Sequence, residues 1–556
     1  MAAENDVPAS PLAEEAELGV ESPVDEAEEE AELAVVPGAP VERHNPLGHN
    51  VTLLSAINLN FGQILGHGIF STGGPVLQSV GSVGLYFVAW SVAPLFAYVG
   101  LAVYSELASY SPLRSGGSVV YLEQAYPRPK FFVPIVFAIT STLLAYHAVA
   151  SIVFAQYWLV LFDQPITPAS QTAVAIAVTT VTSAIALLST KWSLRIVNVF
   201  SVFKVLSLAF VVLTGLAVLL GLTSIRDPFA HFSHPWASSN WDPNALATTL
   251  IKTNSAVAGW HNAFSLLGEV RSAPGRPSDP VRVVSRAGYI SLSAVVILYL
   301  LTNVAYIAVV PPGEIKGSGQ LVGALFFRHV FGDGAAAKIL PCFVIASCFG
   351  NMIAVVVGSA RVQREIARQG LLPFPSLWTS TRPFNTPLIP ILFKYFLSVL
   401  VILLLPARDA FSFLLDLASY PFLVFGAVMT VGIWPLRARR RKMGLERSRY
   451  EMSDILIVVY LVWHAFLLIM PLIPPKAGKG DVSFFYATYC FVGLGVLLLA
   501  ALFYYVYIVF LPKRGGYEIV EEIEDLPDGG RNARLVRRYK AREAGVAGEE
   551  SPLLSD

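Results

Sequence analysis

Apolar runs long enough to cross about 30 Å of hydrocarbon as helix, roughly 20 residues each, recur between residues 51 and 511. A chain that repeats such runs cannot bury them all in one water-soluble core, so it must use lipid as part of its solvent. Inside lipid every backbone N–H and C=O has to be satisfied within the protein, which restricts spanning segments to helices or a closed barrel. The length and unbroken hydrophobicity of these runs select helices.

Charge agrees with this. Of 556 residues, 54% are hydrophobic and only 14% charged, against about a quarter in soluble domains. The charges gather at the ends. The first 42 residues hold thirteen acidic residues and no Lys or Arg, and a second charged block follows Lys513. A net charge of zero made from such unlike parts gives no reason to expect nucleic acid as a partner. The three cysteines, Cys342, Cys348 and Cys490, all fall in apolar runs and suggest no disulfide framework. The acidic N-terminus does not read as a cleavable signal peptide, so the first span is expected to direct insertion.

Twelve spans are expected, centred on 51–79, 84–110, 131–162, 169–189, 196–222, 245–270, 282–310, 336–361, 387–405, 409–434, 452–473 and 482–511. The corresponding domains are an acidic tail over 1–45 expected to be disordered, a membrane domain over 46–511, and a C-terminal tail over 512–556. Alternate loops differ in basic residues. One set holds 20: Arg114, Arg128, Lys130, Lys191, Arg195, Arg271, Arg276, Arg282, Arg286, Arg361, Arg364, Arg368, Arg382 and seven between Arg437 and Arg449. The other holds about seven, among them Arg226, Lys316 and Arg408. The excess marks the cytoplasmic side and places both termini there, which requires an even number of spans.

Two spans carry interruptions. The first reads Asn60-Phe-Gly-Gln-Ile64-Leu-Gly66-His67-Gly68-Ile69-Phe70, and each glycine weakens a helix by about 1 kcal/mol relative to Ala. The sixth reads Asn254-Ser255-Ala256-Val-Ala258-Gly259-Trp260-His261-Asn262, small and polar at its centre. Broken spans are tolerated where the freed backbone lines a cavity. Breaks at matching places, five spans apart, point to an inverted-repeat transporter with its site at mid-membrane. Repeat one would run over about 51–222 and repeat two over about 245–434, with two extra helices over about 452–511. Amides at the start of a resumed half-helix suit a carboxylate, and carbonyls of the other break suit an ammonium group. The expected substrate-binding residues are Ile64, Gly66, His67, Gly68, Ser255, Ala256, Ala258 and Gly259, with His147 of the third span either lining the pocket or satisfied in the core. The simpler alternative is that each glycine only permits close helix packing.

At these residues the chain resembles the amino acid–polyamine–organocation superfamily, and within it the fungal methionine permeases and L-type amino acid transporters. Four segments between about residues 50 and 510 carry the resemblance. They are Gly62 to Phe70; Tyr104-Ser-Glu106-Leu with Arg114-Ser-Gly-Gly-Ser118 to Glu123; Gly259-Trp-His-Asn-Ala with Gly268-Glu269-Val and Leu298 to Tyr306; and Arg361 with Ala367-Arg-Gln-Gly370-Leu-Leu-Pro373. The resemblance implies an all-α membrane protein of twelve transmembrane helices, a five-plus-five inverted repeat with two C-terminal helices. It implies secondary active transport of a neutral L-amino acid, methionine among the candidates, by alternating access. Two positions depart from the family pattern. His67 stands between the first-helix glycines where Ser, Thr or Ala is usual, and Ser255, Ala256 and Val257 occupy the region where an aromatic gate is common. Animal L-type relatives also bind a single-pass partner through a Cys in the loop after the third span. Here Asp163 to Ser170 contains none, so no disulfide-linked heavy chain is expected.

Ionisable residues within spans are functional candidates by default. Lys204 lies in the middle of the fifth span. By the resemblance it takes the place of a sodium ion, and the carrier would be sodium-independent. Two roles stand for it: a proton carrier that couples transport, or a fixed cation bonded to carbonyls of the first span. Proton coupling is energetically sufficient. One charge crossing 100 mV supplies about 2.3 kcal/mol and one pH unit about 1.4, against roughly 2.7 for hundredfold accumulation. Glu106 and Glu269 are expected to pair with loop arginines, and Lys252, at the beginning of the sixth span, to snorkel outward.

Paired acids, metal-ligand spacing and a nucleophile elbow are not found, so neither enzyme nor metal nor cofactor is expected. The expected partners are a neutral amino acid, protons and the lipid bilayer. A second class of function keeps the same fold: an amino-acid-sensing receptor that signals through its tails with little flux. The plasma membrane is the expected location. The stretch Glu549-Glu-Ser-Pro-Leu553-Leu554 fits an acidic dileucine sorting pattern and keeps a vacuolar or endosomal membrane open.

Overall fold

The fold is given by a computed structural model, which describes residues 51–66, 68–112, 114, 116–223, 225, 227–270, 279–334, 338–368, 370–380, 384, 386–476, 482–525 and 531–539. The acidic N-terminal tail, His67 and the dileucine stretch lie outside the described residues.

Among the described residues, nine helices are long and apolar enough to cross a membrane, including Val83–Ser109, Pro168–Leu188, Pro280–Val309 and Ala410–Lys442. Phe132–Leu161 counts among the nine across a short interruption, and three of the expected spans do not meet that standard. The ninth is a 17-residue apolar helix, Leu388–Leu404. The first and sixth are divided into shorter pieces. The helices start where local chemistry directs. Thr52 and Ser55 form a reciprocal capping box before Leu53–Ile64, and Thr167 and Ser170 form another before Pro168–Leu188. Proline occupies the first helical position of Pro168–Leu188, Pro243–Ala256 and Pro280–Val309, where its missing N–H costs nothing.

The outer surface is that of a protein solvated by lipid. Val202, Leu206 and Leu213 on the fifth span and Ile455, Val462 and Leu498 on the last two are exposed. Polar groups are instead drawn inside, among them Asn60, Glu106, Lys204, Lys252, Asn303, Lys394 and Asp416.

The structure departs from sequence expectation in three places. The third span is interrupted between helices Phe132–Leu143 and Ala148–Leu161. The chain is not wholly helical: Tyr517–Asp525 and Arg531–Tyr539 pair as an antiparallel hairpin within the expected C-terminal tail. Leu535 of this hairpin is buried. It packs on Gly370 beyond the eighth span, where a Cβ would stand 2.9 Å from the Leu535 amide nitrogen and φ is +72°. The third departure is Lys252. It does not snorkel. It is fully buried, with its ammonium 2.7 Å from a carboxylate oxygen of Asp416. The early position in the span suggested an exit to the interface, but a carboxylate 164 residues later supplies the partner inside.

Candidate functional site

The first span unwinds where its glycines fall. Helix Leu53–Ile64 stops, and helix resumes at Gly68–Ser71 and Gly73–Val80. The sixth unwinds after Pro243–Ala256 and continues as a 3₁₀ segment, Asn262–Glu269. Gly259, between the two, has φ of +117°, a conformation that side chains disfavour.

The two spans lie side by side in opposite directions. Val51 bridges to Val270, where the two segments are locally parallel. The Asn60 side-chain oxygen accepts from the Ala263 amide at 3.3 Å. A Cβ at Gly259 would stand 3.0 Å from Gln63 Cβ and 3.1 Å from the Ile64 nitrogen. One at Gly68 would stand 3.0 Å from the Cα and Cβ of Ala256. Contact positions therefore rise along one span as they fall along the other, and the two breaks meet at one level. The glycines serve this crossing, since Gly68 and Gly259 each let one break touch the backbone of the other.

Side chains from other spans hold the loose ends. The Ile64 carbonyl accepts from the Tyr299 hydroxyl at 2.9 Å. The Phe70 carbonyl, beyond the break, accepts from the Tyr157 hydroxyl at 3.0 Å. Lys204 is buried and donates to the Gly62 carbonyl at 2.9 Å. Asn351 of the eighth span approaches Gly66, its side-chain nitrogen 3.4 Å from where a Cβ would be. The bonds from Tyr157, Tyr299 and Lys204 tie backbone carbonyls on both sides of the break to other spans, and the Ile64 carbonyl also accepts from the Gly66 amide at 2.9 Å.

Of the residues expected to form the site, Ile64, Gly66, Gly68, Ser255, Ala256, Ala258 and Gly259 cluster around this crossing. Ala258 is exposed although it lies within the sixth span, and Asn254, Ser255 and Gln63 are half-buried, so the breaks border open space. His67 and the Glu269 side chain lie outside the described residues. His147 ends the interruption of the third span, and its recorded partner is on the ninth span. Its amide donates to Ser398 Oγ at 3.1 Å, and Nδ1 lies 3.1 Å from the same oxygen. Its Nε2 has no partner among the described residues.

Toward the basic loops, the 3₁₀ half of the sixth span is packed by aromatic rings. Tyr104 meets Trp260, His261 and Phe264 at centroid distances of 5.3 to 5.6 Å, and Gly116 donates to the Ser265 carbonyl. Glu106 pairs with Arg437 through two contacts, at 2.7 and 2.8 Å. This is the arginine partner expected, supplied by a helix end and not a loop.

Sequence reasoning missed Tyr157, Tyr299, Lys394 and Asp416. The last two carried a usable signal, because each is an ionisable residue inside an apolar run, the criterion that singled out Lys204. Lys394 donates to the Val355 carbonyl at 3.1 Å and to Ser359. Among the described residues no group of three or more His, Cys, Asp or Glu could hold a metal ion.

Comparison with known proteins agrees with the geometry. Over 495 residues the chain is 28% identical to the high-affinity methionine permease of Saccharomyces cerevisiae, covering 88% of this chain and 84% of the yeast protein. It is 26% identical over 493 residues to the low-affinity methionine permease of the same yeast, covering 87% of each. It is 27% identical over 432 residues to the large neutral amino acids transporter small subunit 2 of Mus musculus, covering 77% of each. The amino acid permease family model matches residues 51–497, an interval that contains both broken spans and every side chain that braces them, and the chain belongs to that family.

Proposed function

We propose that this multi-pass membrane protein is a secondary active carrier of neutral L-amino acids, with methionine its first candidate substrate, driven by protons and independent of sodium. The observation that carries the reading is the meeting of two broken spans at one level. A carboxylate would be held by amides at the resumed first span around Gly66, His67 and Gly68. An ammonium group would be held by carbonyls near Ile64 and Ser255 to Gly259. The substrate side chain would take the open space bordered by Ala258, with His147 behind the third-span interruption. The names of the yeast and mouse relatives supply the substrate class, and the zwitterion geometry is compatible with it.

The architecture we infer is twelve spans, two inverted repeats of five and two further helices, with both termini cytoplasmic. Two repeats of opposite topology would account for two breaks that run antiparallel and coincide. With Lys204 bonded to the Gly62 carbonyl, a fixed ammonium stands beside the break, which supports independence from sodium. The plasma membrane is the proposed location, and no covalently linked heavy chain is required.

Uptake by the purified protein in liposomes tests the reading. Radiolabelled methionine should accumulate under an inwardly directed proton gradient without sodium, and competition with all twenty amino acids should rank neutral ones first. Binding without flux would replace the carrier by a receptor of the same fold.

A further inference from the structure

Lys252 and Asp416 have no part in the carrier mechanism outlined above, yet they form an ion pair at 2.7 Å in which both side chains are essentially inaccessible, at 0% and 1% exposure. Two charges taken out of water need each other, and membrane proteins keep such groups where they serve function. Their placement identifies that function. Lys252 lies one turn before Ala256, the residue against which Gly68 packs. One turn further along both helices, Ser255 Oγ lies 2.5 Å from Ser419 Oγ. Two successive bonds, Lys252 to Asp416 and Ser255 to Ser419, therefore join the N-terminal half of the sixth span to helix Ala410–Lys442.

Burial differs on the two sides of this joint. The Lys252 side is sealed: Ile251, Lys252, Thr253, Ala256 and Val257 are buried. At the break itself Ala258 is exposed. The joint is thus sealed at Lys252 and Asp416 and becomes half-buried at Ser255 and Ser419, next to the exposed Ala258.

We propose that the Lys252–Asp416 pair is a latch that positions the N-terminal half of the sixth span and closes the substrate site on that face, and that the pair separates when the carrier turns to its other orientation. The inference rests on the carrier reading, because a latch matters only where access alternates. Neither residue contacts the substrate; both act through Ser255 and Ala256, so they are positioning residues. A buried pair suits the task. Closed, its charges compensate each other. Opened, each charge meets the water that enters, so the pair stabilises one orientation without trapping it.

The test uses the full chain in sealed membrane vesicles of both orientations. Cys342, Cys348 and Cys490 are replaced by alanine, and Ala258→Cys supplies one target for a membrane-impermeant maleimide. With the latch intact, labelling should be faster from one side than from the other. Removing one charge risks the fold, so the pair is replaced together as Lys252→Met with Asp416→Leu, which leaves no uncompensated charge. The two rates should then approach each other. The charge-reversed pair, Lys252→Asp with Asp416→Lys, should restore the difference. An unchanged ratio of the two labelling rates in the apolar double variant would overturn the proposal. Labelling does not require flux. Failure of methionine uptake by the unmodified protein would therefore count against the carrier, and unchanged sidedness against the latch.

Discussion

At the scale of single residues, the glycines at the two breaks are not equivalent. Gly66 faces the end of the Asn351 side chain at 3.4 Å, an ordinary contact. Gly68 faces the Ala256 Cα at 3.0 Å, and main chain cannot swing aside. Gly259 faces the Gln63 Cβ at 3.0 Å and the Gln63–Ile64 backbone at 3.1 to 3.2 Å, and also holds φ of +117°. Alanine should therefore be tolerated at Gly66, should impair uptake at Gly68, and should be worst at Gly259, where the backbone conformation alone costs about 1–3 kcal/mol. Valine at Gly66 or Gly68 should abolish uptake while protein still reaches the membrane. Initial uptake rates normalised to surface protein give the order. Wild-type uptake with Gly68→Val would remove the carboxylate site from the first break.

At the scale of elements, the legible features were those with a local cause. Glycine and small polar residues weaken the first and sixth spans from within, and both interruptions stand where those residues fall. The third-span interruption has no such sign, because Leu144-Ala-Tyr-His147 contains neither Gly nor Pro. Distant partners make it. The Tyr146 hydroxyl donates to the Leu414 carbonyl at 2.8 Å, and the His147 amide donates to Ser398 Oγ in place of a helical carbonyl. Lys252 was misread for the same reason, since its partner lies far along the chain. Lys204 shows the limit in another way. Its depth was readable, and the bond to Gly62 agrees with a fixed cation, but a bond in one state does not decide whether the proton leaves in another. Lys204→Ala decides it. If the lysine carries the coupled proton, accumulation in liposomes loses its pH dependence while exchange of internal for external methionine continues. Unchanged pH dependence leaves Lys204 a brace for the Gly62 carbonyl.

At the scale of the whole molecule, the fold depends on polar joints buried between distant spans, because apolar side chains gain little by leaving lipid for one another. One such joint lies beside the basic loops. The Glu106 carboxylate accepts from Arg437 twice, from the Met452 amide at 2.9 Å and from the Tyr110 hydroxyl at 2.6 Å. It thereby ties helix Val83–Ser109 to Ala410–Lys442 and to the segment leading into Asp454–Ile469. Arg437 also reaches Asp454 at 2.8 Å, but that carboxylate is 66% exposed. The two acids should differ accordingly. Glu106→Gln strips the charge from a buried centre and leaves Arg437 with the Met452 carbonyl at 2.6 Å and the more exposed carboxylates of Asp454 and, at 3.8 Å, Glu451. The loss should approach the lower end of the 3–5 kcal/mol typical of a broken buried pair. Asp454→Asn, screened by solvent, should cost less than about 1 kcal/mol. Thermal unfolding of the purified variants in one detergent compares them directly. A melting temperature that falls clearly for Glu106→Gln and barely for Asp454→Asn assigns the joint to its buried half. Equal shifts would mean that the ends of these helices beside the basic loops are held by lipid and loops, with Glu106 a bystander.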